Sequence, residues 1–292
     1  MSIVRNGAAA AVTSRMPSPI IWNDCPVGSI ANDPAKGQHV FDDFQNSVVP
    51  VINEAAATAF VSGVGNVIGD IDWYVYSEGD VLADVLLQAD NDGVLFMQAS
   101  GTDTDVNAIT TGNNVVGRFR TPTAGNAHGL WFEARVKVVT ITNTDQGAFF
   151  GLCQPGEAKT AGGAMAGDPS AMSDVDYIGF AQLSGDGDDL TLVYNEATLG
   201  TASSDTGVIT LAANTWVRVG FKTVTKGQGT YIQFYADGVY LGADYDVDIT
   251  GTNANWPGNT DMDILLSTVC GSGVAATDGF YVDWVRCAEL YL

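Results

Sequence analysis

The chain has 292 residues, 46% of them hydrophobic, enough to bury the core of one large all-β domain or two ordinary ones. Its 34 Asp and Glu against 12 Lys and Arg give a formal net charge of −22. Such a surface repels phosphate backbones and anionic bilayers, which argues against nucleic acid and membranes as partners, while carboxylate-rich loops of this kind can hold calcium.

Residues 1–37 differ from the rest. The opening "MSIVRNGAAAAVTSRMPSP" has a short apolar run from Ala8 to Val12, stopped by Arg15, which makes a poor signal peptide. No run approaches transmembrane length. The expectation is a soluble chain made in a cytoplasm, leaving it only as part of a particle. Pro17, Pro19, Pro26 and Pro34 interrupt any periodicity and bias their predecessors toward extended backbone. The segment therefore reads as an extended arm with little core of its own, and residues 38–292 as the folded body.

From "HVFDDF" onward, with Asp42 and Asp43, the text is β-like. "NEAAATAF" (53–60) suits a couple of helical turns, and "DVLADVLLQ" (80–88) is ambiguous between helix and strand. "GLWFEARVKVVTI" (129–141) alternates, with Trp131, Glu133, Arg135 and Lys137 on one side and Phe132, Ala134, Val136 and Val138 on the other. "GAFFGLC", "DYIGFAQL" and "LTLVYNE" follow at short spacings, then "TWVRVGFKTV", "TYIQFYADGVYLGA", "MDILLSTVC" and "GFYVDWVRCAELYL". Asp237-Gly238 between alternating runs predicts a two-residue type I′ hairpin. Short strands with Gly, Asn and Asp turns between them imply a sandwich or a barrel.

Several side chains invite a chemical reading. Asp174 and Asp176 in "AMSDVDYIGF" are two apart, and residues so spaced in a strand share a face. Paired carboxylates on a sheet are the tools of a glycosidase; the alternative is a solvated strand face or a turn. Asp186, Asp188 and Asp189 in "LSGDGDDLTL" have calcium-like spacing but lack the distal Glu of an EF-hand, so an acidic hairpin turn is the plainer reading. Asp244, Asp246 and Asp248 would share one strand face and need an exposed edge or a cation. Cys25, Cys153, Cys270 and Cys287 form no C-x-x-C pair, and His39 and His128 do not flank them at zinc spacing. Reduced buried thiols are expected, with a Cys270–Cys287 bridge open if their strands are neighbours. Neither histidine accompanies a nucleophile elbow. Trp131, Trp216 and Trp284 sit inside strand patterns and are assigned to the core. Trp73, Tyr74 and Tyr76 in "DIDWYVYSEGD", with Trp256 in "NANWPGN", lie nearer turns and are the candidates for an exposed, sugar-stacking contact.

Taken in order, "GLWFEARVKV", "TWVRVGFKTVTKGQGTYIQFYADGVYLG" and "GFYVDWVRCAEL" resemble the concanavalin A-like lectin/glucanase superfamily, and within it the laminarinase-type glycoside hydrolases, over roughly residues 38–292. The resemblance implies an all-β fold, an antiparallel two-sheet jelly-roll sandwich. It also implies a catalytic strand reading Glu-x-Asp-x-x-Glu, for which "DVDYIG" is the match. Asp174 stands at the nucleophile, Asp176 at the central Asp and Gly179 at the general acid/base. Retaining hydrolysis needs two carboxyls about 5 Å apart. Gly179 donates no proton and Asp174 is one methylene short, so no enzyme activity is expected. The resemblance also makes Asp283 the candidate ligand of a structural calcium held otherwise mostly by backbone oxygens; an outward-facing strand Asp is the alternative, and Asp42 and Asp43 in "FDDF" are weaker metal candidates.

With the catalytic residues gone, building or binding remains. The arm, the acidic surface, the missing export signal and a lysine-poor composition resembling marine phage structural proteins point to a virion part. In that reading the chain decorates the outer capsid of a tailed phage, held to the capsid protein by residues 1–37. It is a homo-oligomer there, with a trimer preferred, and glycan contact is a secondary role. The alternatives are a carbohydrate-binding lectin module, a head-fibre or tail component, and a glycoside hydrolase or lyase with a relocated site.

Overall fold

The computed structural model describes residues 15–44, 61–62, 73–77, 85–88, 93–98, 104–112, 117–141, 145–157, 163–165, 169–197, 203–272 and 278–291. Its strands in the first half are β1 (Gly37–Asp42), β2 (Val61–Ser62), β3 (Tyr74–Ser77), β4 (Val85–Gln88), β5 (Val94–Gln98), β6 (Val106–Thr110), β7 (Phe119–Arg120), β8 (Leu130–Val138) and β9 (Gln146–Cys153). The second half adds β10 (Tyr177–Gln182), β11 (Asp189–Asn195), β12 (Ser203–Thr210), β13 (Val217–Lys226), β14 (Gly229–Ala236), β15 (Val239–Tyr240), β16 (Val247–Asp248), β17 (Asp261–Cys270) and β18 (Gly279–Leu290).

Two antiparallel nine-stranded sheets face each other as a jelly-roll-like sandwich. Sheet I runs β15-β14-β13-β8-β18-β5-β4, with β1 on β18 and β16 on β14. Sheet II runs β12-β11-β10-β9-β17-β6-β3-β2, with β7 on β17. The predicted alternation decides which side chains meet between them. Phe132, Ala134, Val136 and Val138 of β8 point inward and join one large core. Aromatic pairs lock the sheets together: Phe150 meets Phe280 edge-on at 4.7 Å, and Phe180 meets Phe234 at 5.8 Å. Cross-sheet aromatic contacts of this geometry add about 0.5–1.5 kcal/mol each beyond area burial. The ambiguous run at 80–88 is strand where it is described, as β4, while 53–60 lies outside the described residues.

The Asp237-Gly238 hairpin is formed as predicted. Both residues have positive φ, +49° and +77°, as a type I′ turn requires, and Tyr235 pairs with Tyr240 across it. The three aspartates of "DYDVD" do not share a strand face, because Ala243–Tyr245 is a 3-10 turn. Asp246 accepts instead from Lys226, Gln233 and Tyr240, so no cation is needed to hold it. All four cysteines are free, and Cys270 and Cys287 lie in opposite sheets.

The N-terminal segment departs from expectation. It is not extended from residue 19 on: Pro19–Trp22 forms α1, Val27–Asn32 forms α2, and Pro34–Lys36 a 3-10 turn. Pro19 and Pro34 stand in first turns, where a missing N–H leaves nothing unsatisfied. Nor is the segment without core: Ile21 and Trp22 are buried against Trp131, Tyr235 and Ala288 on the outside of sheet I. Among the described residues no helix is long and apolar enough to cross a membrane.

Candidate functional site

Two surfaces concentrate chemistry, the outer faces of the two sheets. On sheet II the register sets up two adjacent rows. One runs Asn195, Tyr177, Cys153, Asp263 across β11, β10, β9 and β17. The next runs Val193, Gly179, Gly151, Leu265, Thr110, Tyr74. Gly179, where the resemblance would put the acid/base, thus opposes another glycine. A Cβ there would lie 2.4 Å from the Phe150 carbonyl oxygen and 2.8 Å from the Gly151 Cα, with the Phe149 ring at 3.1 Å. No side chain of any kind fits at that position.

The rest of this face is filled from within. Phe149 meets Tyr177 edge-on at 6.1 Å, and both are fully buried with Ala181, Val193 and Leu265. Met165, bridged to Met172, packs with Pro169 onto Gly147 at one end of the face. Asp174 and Asp176 lie just before β10, in a turn rather than on a strand face. Asp174 is exposed and accepts from Asn195 Nδ2 at 3.4 Å. Asp176 is half-buried, accepts the Ala197 N–H at 2.7 Å, and has its pKa raised by burial. Beside them Gln154 takes the Asp176 N–H at 3.1 Å on its oxygen and donates to Glu157 at 3.0 Å. This end of sheet II is therefore a rim of carboxylates and an amide above a buried floor that holds Phe149 and Tyr177. Among the described residues, Tyr177 Oη and Asn195 Oδ1 at that floor have no hydrogen-bond partner. Burial pushes the Tyr177 phenol up and lifts Asp263 to about 6.

On sheet I the outer face carries Glu133, Arg135 and Lys137 of β8, Arg218 and Lys222 of β13, and Arg286 of β18. Five of the twelve basic residues in the chain thus share one face. Residues 15–24 lie on it. Glu133, 0% exposed, accepts from the Ser18 N–H at 2.9 Å, the Ser18 hydroxyl, and Trp22 Nε1 at 2.7 Å. Burial raises its pKa and those donors oppose the rise. Asp24 accepts from Trp131 Nε1 and Lys222 Nζ, and Lys222 also donates to the Ile20 carbonyl. Arg218 reaches the Met16 carbonyl at 3.0 Å. Glu133 was read from sequence only as part of an alternating face. The signal that could have found it is the mixture of Trp with charges on that face, which marks a covered surface rather than a solvated one.

The candidate residues are scattered. Trp256 is 5% exposed, its indole donating to the Pro122 carbonyl, so it is core and not an exposed contact. Tyr76 is 7% exposed. Trp73 and Tyr74 are half-buried, with Trp73 packed on Phe44 and donating to Asp42 at 2.7 Å. Of the three tryptophans assigned to the core, Trp131 and Trp284 are buried on the outer side of sheet I, while Trp216 is half-buried with Arg135 and Lys137 against its ring. Asp283 does not face solvent. It is buried at the β-bulge of β18, and its two oxygens are held by Arg15 and Arg135, which already neutralise the charge that would attract calcium. Asp43 is half-buried at the end of β1. Among the described residues no three His, Cys, Asp or Glu side chains gather as a metal shell.

No protein-family model matches the chain, and no curated protein matches it in sequence. Solved structures do match in fold. The endo-1,3-β-glucanase from Streptomyces sioyaensis aligns with a TM-score of 0.56 at 17% identity, covering 89% of this chain and 99% of that one. The laminarinase from Rhodothermus marinus aligns with a TM-score of 0.50 at 13% identity, covering 88% and 98%. At these identities the likeness is one of fold: the chain is an all-β, two-sheet antiparallel sandwich of jelly-roll type, similar in fold to those two structures.

Proposed function

We propose that this protein is a non-catalytic, carbohydrate-binding module that takes a neutral polysaccharide at the rim of sheet II. The observation that carries the reading is Gly179 opposite Gly151 beneath Phe149. The fold is retained, while the place for a general acid is closed to any side chain. The names of the similar structures point to β-1,3-glucan as the first ligand to try. The rim of Gln154, Glu157, Asp174 and Asp176 supplies acceptors and an amide that suit sugar hydroxyls. A net charge of −22 disfavours uronic polymers.

Affinity electrophoresis in laminarin gels tests this. Retardation is expected, weakened about tenfold by Asp174→Ala, the loss of one or two charge-assisted hydrogen bonds, with no release of reducing ends. Unretarded migration in laminarin and in other neutral glucans would sink the binding reading; reducing-end release would sink the non-catalytic one.

A second reading, an outward part of a tailed-phage particle, is favoured by one observation: sheet I seats a polypeptide segment through buried charges. The same seat suits the matching segment of a neighbouring copy, in a homo-oligomer such as a trimer, or a segment of the capsid protein. Mass spectrometry of purified particles tests it, and absence of the chain from them overturns it.

A further inference from the structure

Among the described residues, Arg286 is a cation on sheet I that hydrogen-bonds no carboxylate. Among the described residues its guanidinium makes one side-chain hydrogen bond, from Nε to His39 Nε2 at 3.0 Å. Its carbon lies 4.0 Å from the centre of the Trp22 ring and 5.9 Å from that of Phe41. Burial, then the charge of Arg286, holds His39 down at about 4, so at neutral pH this imidazole is uncharged and its Nε2 accepts. Glu133 is nearby, but its oxygens are taken by Ser18 and Trp22. The guanidinium is therefore clamped on one edge and stacked on an indole.

A groove of about 690 Å³ opens where α1, α2 and β18 meet, lined by Trp22, Cys25, Ser29, Asn32, Lys36 and Arg286. Asp33 also lines it, but its carboxylate accepts the Ala35 N–H and lies 3.9 Å from Lys36 Nζ. Cys25, its thiol pushed up to about 11 by burial, adds no charge. Two cations thus face one carboxylate in a groove of a protein that carries 34 acidic and 12 basic side chains. Arg286 is half-buried and its cross-strand neighbour Glu133 is committed to other donors, so part of its desolvation cost is left for a bound anion to remove. An arginine fork already fixed in orientation loses little freedom on binding one.

We propose that this groove is an oxyanion site: a carboxylate or phosphate group sits on the Nη edge of Arg286, with Lys36 and the Ser29 hydroxyl completing its surroundings. The site is separate from the rim of sheet II and does not depend on the carbohydrate reading.

The test is thermal unfolding of the full chain titrated with inorganic phosphate and, separately, with acetate, ionic strength being held constant with chloride. A saturable rise in Tm is expected, about 3 °C at tenfold excess over Kd. Saturation by phosphate alone identifies a phosphate ligand, and saturation by acetate alone a carboxylate. Arg286→Gln abolishes the response. Arg286→Lys, which keeps charge without the fork, weakens it tenfold or more, and Lys36→Gln weakens it about threefold. Cys25→Ser leaves it unchanged. No saturable rise with either anion overturns the proposal, as does an Arg286→Gln chain that responds like its parent. Should Arg286→Gln fail to fold, Lys36→Gln decides, and an unaltered affinity there overturns the site.

Discussion

Sheet I carries Glu133, Arg135 and Lys222 buried on its outer face, with Arg218 half-buried beside them and residues 15–24 lying on all four, whereas sheet II carries Phe149, Cys153, Tyr177 and Leu265 buried on its own. A charged face can be covered only by a segment that brings matching donors and acceptors, because each unpaired buried polar group costs about 1–3 kcal/mol. Ser18, Trp22 and Asp24 are such a set. Around Phe149 the second face is mostly apolar and needs mainly shape, and glycines at 147, 151 and 179 let Met165 and Phe149 settle onto the sheet. The first face is therefore specific and separable in principle; the second is a permanent extension of the core.

The largest expected effect tests that specificity. Trp22→Ala removes a buried indole and leaves Glu133 short of one donor. A loss of about 3–5 kcal/mol in urea unfolding is expected. A loss under about 1 kcal/mol would mean that the segment contributes little and that sheet I is free to receive another chain. On sheet II, Gly179→Glu restores the residue type a hydrolase needs, but its Cβ meets the Phe150 carbonyl. Overpacking together with a buried carboxylate should cost about 3 kcal/mol and release no reducing ends. A stable, active variant would break the claim that this face is closed.

The two faces were unequally legible in the sequence. The β8 alternation and the Asp-Gly turn were readable because strand period and positive φ are local properties. The N-terminal segment is not legible from its prolines, because proline suits both extended chain and the first turn of a helix, and Pro19 and Pro34 open helical turns. Asp283 could not be placed from sequence, since its partner Arg15 is 268 residues away. Trp256 misled in the opposite direction: a Pro-Gly context suggested exposure, yet its ring folds back onto the core. The strand that resembles the family's catalytic strand was legible in part. The glycine at 179 carries no acid, as its letter shows, while the opposing Gly151 and the ring of Phe149 emerge only from the register.

A smaller effect comes from titration. Asp263 is 2% exposed, and its pKa is raised by burial to about 6 from 3.8. The folded chain thus holds this proton more tightly than the unfolded one. The stabilising share is fully present below about pH 4 and is lost as pH climbs to about 6. Roughly 3 kcal/mol is involved over the whole range, about half of it above pH 5. Glu289, raised by burial to about 7, acts in the same direction over a higher window. Tm should therefore be higher near pH 5 than near pH 8, and Asp263→Asn should flatten the lower part of that slope. A Tm that climbs steadily from pH 5 to 8 would contradict buried, protonated carboxyls on these strands.

The smallest effect bears directly on how tightly the N-terminal segment is seated. Gly238 has φ of +77° in the type I′ turn, so Gly238→Ala costs about 1 kcal/mol from backbone strain alone. Its new Cβ would also lie 2.9 Å from Ser18 Oγ and 3.0 Å from Ser18 Cβ. Ser18 is held by Glu133, so the strain of the turn and the seat of the segment are coupled. Pairing Gly238→Ala with Ser18→Gly in a double-mutant cycle separates the two contributions. A coupling of about 0.5–1 kcal/mol is expected, because residues in contact fail to add. Strict additivity would mean that the segment slides away from the hairpin at no cost, and the distinction between a specifically seated face and a fused one would then be lost.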